Sequence, residues 1–184
     1  MERPGLLRPG YESQVDVEGL SAESLPFDVP ASAVPESVPR EQTPPPSDNV
    51  HYLDKSKILV SSDRIEMLAD NEVFVFGSNI GGKHVGGAAR QAYQKFGAEW
   101  GVGSGPTGKC YAIPTMHGGI EVVASYVDAF IKYASEHPEL RFLVTKVGCG
   151  VAKFHPNQIA PLFAQAVDLP NVYLPAEFWL YLPK

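Results

Sequence analysis

Beyond residue 70 the apolar positions of this chain alternate between two rhythms. Val73-Phe74-Val75-Phe76 is an unbroken β-favouring run, the pattern of a strand buried on both faces. Gly77 is expected to end it. Residues 110–113, 142–145 and 171–174 repeat the pattern and predict three further strands. Between them the period changes to that of a helix. Ile120, Val123, Val127, Phe130, Ile131 and Ala134 lie on one face of a helix over 120–136, stopped by His137-Pro138. A helix over 87–96 ends at Gly97. A third begins near His155-Pro156, with proline in its first turn, and runs to about Val167. Upstream, residues 57–60 predict a short strand, and Ser62-Asp63 is placed to cap a short helix through Leu68. Residues 101–108 read as a glycine-rich loop. No internal repeat is evident.

Strands alternating with helices predict right-handed crossovers and a mostly parallel sheet covered on both faces, an α/β fold. Ligands of such sheets sit beyond the carboxyl ends of the strands. Two glycine-rich loops leave strands there and enter helices. The first runs Gly77-Ser78-Asn79-Ile80-Gly81-Gly82-Lys83-His84-Val85-Gly86-Gly87-Ala88-Ala89. Its glycines allow close backbone approach, and the helix start at Gly87 offers free N–H groups and the positive dipole end, a cradle for a diphosphate. Ala88 and Ala89 leave room for a ligand. The second loop is Val147-Gly148-Cys149-Gly150-Val151-Ala152-Lys153-Phe154. Its amides can grip a second phosphate, with Phe154 against a base or ribose. The plainer alternatives are a flexible connection and a tight turn with Phe154 in the core.

Composition divides the chain. Residues 1–50 hold nine of the 17 prolines and nine acids against three bases, which accounts for the whole net charge of −6. That segment is expected to be a disordered, acidic tail, with the domain spanning 51–184. The domain itself is neutral, so non-specific nucleic-acid binding is not expected, whereas a small-molecule site is. Two cysteines, Cys110 and Cys149, make no disulfide framework, and a reduced cytoplasmic setting fits. Neither a secretory signal nor a membrane span is expected.

Two motifs are set aside. Gly103-Ser104-Gly105-Pro106-Thr107-Gly108-Lys109-Cys110 nearly spells a nucleotide-triphosphatase loop, but it ends in cysteine and precedes a strand rather than a helix. Gly148-Cys149-Gly150 has Lys153 in place of the third glycine of a dinucleotide fingerprint. The histidines and cysteines show no zinc-ligand spacing, and no metal or cofactor is expected. His84 is the one histidine inside a ligand loop, a candidate general base or a residue that shapes the loop. Cys149 is a nucleophile if a base lies beside it, and otherwise a small filler.

Taken in order, Gly77-Ser78-Asn79, the run to Gly86-Gly87-Ala88-Ala89, the Gly97 stop, Tyr111-Ala112-Ile113-Pro114-Thr115 and Gly148-Cys149-Gly150 resemble the macrodomain superfamily. The resemblance covers about residues 71–178 and is nearest to a little-characterised bacterial and phage macrodomain-like group. It implies a three-layer α/β/α fold and binding of ADP-ribose or an ADP-ribosylated macromolecule by a monomer. It implies that Asn79 contacts the distal ribose, that the Gly86 to Ala89 turn and the Gly148 to Ala152 loop hold the diphosphate, and that Thr115 borders the site. Some motifs also resemble the terminal ADP-ribose glycohydrolase branch. That branch has a lysine after its central strand and an aspartate after its Gly-Cys-Gly run. Met116 stands near the first of those positions here and Ala152 at the second. The expected activity is therefore binding of an ADP-ribosyl group, with or without hydrolysis of its linkage. The alternatives are a reader without turnover, or an interaction protein acting through its acidic tail.

Overall fold

The computed structural model describes residues 50–52 and 58–182. The expected acidic tail lies outside the described residues except at its last position, Val50, which opens the first strand instead of closing the tail. The elements are β1 (Val50–Tyr52), β2 (Leu59–Ser61), β3 (Glu72–Ser78), α1 (Gly87–Lys95), β4 (Gly105–Thr107), β5 (Cys110–Pro114), α2 (Ile120–Glu136), β6 (Arg141–Val144), α3 (Pro156–Ile159) and β7 (Val172–Pro175). They form a mixed α/β domain around one 7-stranded sheet in the order β1-β2-β7-β6-β3-β5-β4. The five central strands are parallel, and β1 and β4 close the edges antiparallel.

Alternate residues of a strand face opposite sides of the sheet, and this divides the core in two. Val75, Tyr111, Ile113, Phe142 and Val144 meet the apolar stripe of α2, which is Val123, Val127, Phe130, Ile131 and Ala134. Phe74, Phe76, Cys110, Ala112 and Leu143 form a second cluster with Ala89 and Ala92 of α1. The central strands therefore read as continuous apolar runs because both faces are buried. The carboxyl end of α2 is fastened by Asn171, whose Nδ2 donates to the carbonyls of Ala134 and His137, each at 3.0 Å. Those carbonyls lie where a helix runs out of its own donors. Among the described residues, no helix is long and apolar enough to cross a membrane.

Several expectations need correction. No helix follows Ser62-Asp63. The Ser62 hydroxyl bonds Arg64 at both its N–H and its carbonyl, and the chain then runs without helix to Ala69. Ile65 is buried there while Met67 is exposed. Gly77 does not end β3, which continues to Ser78 because Gly77 pairs with Ile113 and Ser78 with Pro114 of β5. The upstream strand starts at Leu59, and the glycine-rich stretch 101–108 contains β4. The last helix keeps α-geometry only to Ile159 and continues as a 3-10 helix through Ala160–Asp168. Pro161 supplies the reason, since it has no N–H for the α-helical ladder and its ring crowds the preceding turn.

Candidate functional site

The carboxyl ends of β3, β5 and β6 converge on one cleft of about 220 Å³. Their backbones come close together at Gly77. A Cβ there would stand 3.2 Å from the Gly148 nitrogen and 3.3 Å from Thr115 Oγ1, so any larger residue would press the strand exits apart by a few tenths of an ångström. Ser78 is buried and its hydroxyl donates to the Gly103 carbonyl. Asn79 closes a ring on the loop that follows. Its Nδ2 donates to the Lys83 carbonyl at 2.7 Å, and its Oδ1 accepts from the Lys83 N–H at 3.1 Å. This loop lies directly on the β4 hairpin. A Cβ on Gly82 would fall 2.3 Å from a backbone atom of Gly101, and one on Gly103 would fall 2.1 Å from the Asn79 carbonyl oxygen. The glycines that imitate a triphosphatase loop thus serve backbone-to-backbone contact and the turn from β4 to β5.

At the start of α1, Gly86 and Gly87 face open space, and no side chain caps the helix. Both glycines line the cleft, together with Ala88 and Ala89. Uncapped N–H groups with the positive end of a nine-residue helix favour an anion. Opposite them, the loop after β6 folds on itself through bonds from Cys149 N–H to the Lys146 carbonyl and from Phe154 N–H to the Gly148 carbonyl. The N–H groups of Gly150, Val151 and Ala152 donate to no backbone carbonyl among the described residues, and these three residues line the cleft. The charged residues lining it are Lys83 and Lys146, with no carboxylate among the lining residues. Exposed apolar side chains of Val85, Met116 and Val151 complete the rim.

Most of the residues singled out in the sequence come together here: Gly77, Ser78, Asn79, Gly86, Gly87, Ala88, Ala89, Thr115, Gly148, Gly150, Val151 and Ala152 all line the cleft. Cys149, Phe154 and His84 do not. The Cys149 thiol points to the Val147 carbonyl at 3.5 Å, and burial pushes its pKa up, which disfavours the thiolate. Phe154 packs against the larger apolar cluster. His84 is 1% exposed. Its ring sits edge-on to Phe76 and Trp100 and tilted to Tyr93. Its Nε2 lies 3.0 Å from the Glu99 carbonyl, which only accepts, so the proton is assigned to that nitrogen. The buried Nδ1 has no hydrogen-bond partner. This is the arrangement of a residue that holds the loop, and it gives the ring no contact with the cleft. Met116 and Ala152 do line the cleft, so neither position where the resemblance expects a catalytic group carries one.

A second cavity of about 400 Å³ adjoins the first, and Ala88, Thr145 and Lys146 line both. It adds Ser61, Ser62, Asp63 and Gln91 to the polar groups at this edge. The Ser61 hydroxyl donates to the Val144 carbonyl at 2.6 Å, and Thr145 Oγ1 to the Val75 carbonyl at 2.9 Å. Lys146 Nζ lies 3.5 Å from Asp63 and 3.1 Å from Glu177. The hydrogen bond to Glu177 is the main cause that raises its pKa. Sequence reasoning missed this cavity and its lysine. The available signal was positional: Ser62-Asp63 and Thr145-Lys146 each leave a strand at the ligand-binding edge. Set against family models, curated proteins and solved structures, the chain matches none of them.

Proposed function

We propose that this domain is a macrodomain-like module, with the three-layer α/β/α arrangement of that class, and that it binds ADP-ribose or an ADP-ribosyl group. The observation that carries the reading is the cleft itself. Two strand-to-helix loops face each other with backbone N–H groups unspent, two lysines line the walls, and no carboxylate does. That composition suits a diphosphate. The adjoining cavity gives a nucleoside room to extend beyond it, with Asp63, Ser62 and Gln91 as polar partners for a base or sugar.

Between turnover and simple recognition, the side chains favour recognition. Hydrolysis of an ADP-ribosyl linkage calls for a group that activates water or assists departure. Met116 and Ala152 supply none, and His84 is enclosed by aromatic rings. The domain is then a reader of ADP-ribosyl groups.

Calorimetric titration with ADP-ribose tests the binding reading, with AMP as the weaker ligand because it lacks the second phosphate and the distal ribose. Gly86→Glu supplies the control. Gly86 has extended backbone, φ −154°, so a side chain is tolerated there, and its Cβ would face open space. A carboxylate at the helix start should abolish ADP-ribose binding by charge and bulk while Gly86→Ala retains it. Equal binding by wild type and Gly86→Glu would place the ligand elsewhere. Release of ADP-ribose from conjugates by the wild-type protein would overturn the reader assignment.

A further inference from the structure

Asp63, Lys146 and Glu177 each stand two residues past a strand, respectively β2, β6 and β7, and these three strands are neighbours in the sheet. The parallel register brings their exits to one edge, and Lys146 reaches both carboxylates from there. Lys146 also lines both cavities, which otherwise share only Ala88 and Thr145. Any ligand that occupies both cavities therefore passes along this lysine. We propose that Lys146 is a transferable counter-charge, held by Asp63 and Glu177 until a diphosphate occupies the first cavity at its boundary with the second, and that it then turns to the diphosphate.

This proposal deepens the ADP-ribose reading and rests on it. Three facts support the transfer. The lysine side chain is 46% exposed and its partners are also solvent-accessible, so the ion pairs are of the weak surface kind and readily exchanged. A lysine on a flexible stem re-aims its three rotatable donors easily. The second lysine of the cleft, Lys83, has its backbone fixed in the Asn79 ring and borders only the first cavity, so it cannot take this place. Glu177 competes with the ligand for Lys146 and lines neither cavity, which makes it a clean handle on the exchange.

The test is a set of calorimetric titrations with ADP-ribose on wild type, Lys146→Gln, Lys146→Arg, Glu177→Gln and the Lys146→Gln/Glu177→Gln double variant. Lys146→Gln should weaken binding about tenfold or more, as expected for loss of a charge-assisted contact. Lys146→Arg should recover most of that loss, since the charge is restored. Glu177→Gln should tighten binding about two- to fivefold by releasing the lysine, and this gain should vanish in the double variant, because coupled residues are not additive. Binding by Lys146→Gln within twofold of wild type overturns the proposal and leaves the ADP-ribose reading standing. If Lys146→Gln does not fold, Glu177→Gln decides alone, and no gain in affinity overturns the proposal. If wild type fails to bind ADP-ribose, the same titrations are run with inorganic pyrophosphate. Binding that depends on Lys146 then keeps the counter-charge and removes the ADP-ribose reading, and no binding removes both.

Discussion

His84 stands in a ligand loop, yet its environment is made by Tyr93 and Trp100, which approach it only through tertiary folding. Cys110 is likewise governed by what packs around it. It opens β5 and packs beside α1, where burial pushes its thiol up to about 12. The unfolded chain ionises this thiol first, so the stability it confers is complete below pH 9 and is lost as pH rises toward 12. Tyr111 is also raised by burial and acts in the same direction. Urea unfolding at pH 8 and pH 10 should therefore show a loss for wild type that is smaller in Cys110→Ala. Identical alkaline losses in the two proteins would remove Cys110 from this account.

At the scale of elements, the strands and the two long helices were legible because their apolar period is set by burial. The stripe of α2 is the clearest case, and its bounds follow from the sequence. What was not legible depended on backbone geometry. Ser62-Asp63 looks like a helix cap, but a hydroxyl that bonds Arg64 makes a local turn just as well. β4 carries only Gly105, Pro106 and Thr107, and it exists because β5 offers an edge. Asn171 ties two elements that lie far apart in sequence. Both of its donors reach carbonyls at the end of α2, and the residue is 4% exposed. Asn171→Ala removes both bonds while each carbonyl keeps a backbone donor, the His137 N–H on Ala134 and the Leu140 N–H on His137. It should destabilise the fold by about 1–3 kcal/mol, the net worth of two hydrogen bonds. Chemical denaturation measures it, and a change under about 0.5 kcal/mol, the range of ordinary surface substitutions, would mean that water replaces the amide fully.

For the whole molecule, the sheet order explains why half of the site escaped sequence reasoning. The first cavity is built from loops that each announce themselves by glycine. The second is built from β2, β6 and β7, whose exits become neighbours only through the strand order. Charge is also organised at this scale. The acids and bases of residues 51–184 balance, and the net charge of −6 belongs to residues 1–50. The protein should therefore not be retained on duplex DNA at 150 mM salt, since such retention depends on many lysine and arginine contacts to phosphate. Retention that weakens steeply with added salt would contradict this. The contact between Gly82 and Gly101, and that between Gly103 and Asn79, have a meaning for how such a site can change over generations. Neither Gly101 nor Gly103 lines the cleft, yet each abuts the loop that does. A methyl group added to Gly103 would push the loop from behind, altering the opening in front of the helix start without touching a residue that meets ligand. Ligand preference can thus be inherited through the hairpin as well as through the walls of the cleft.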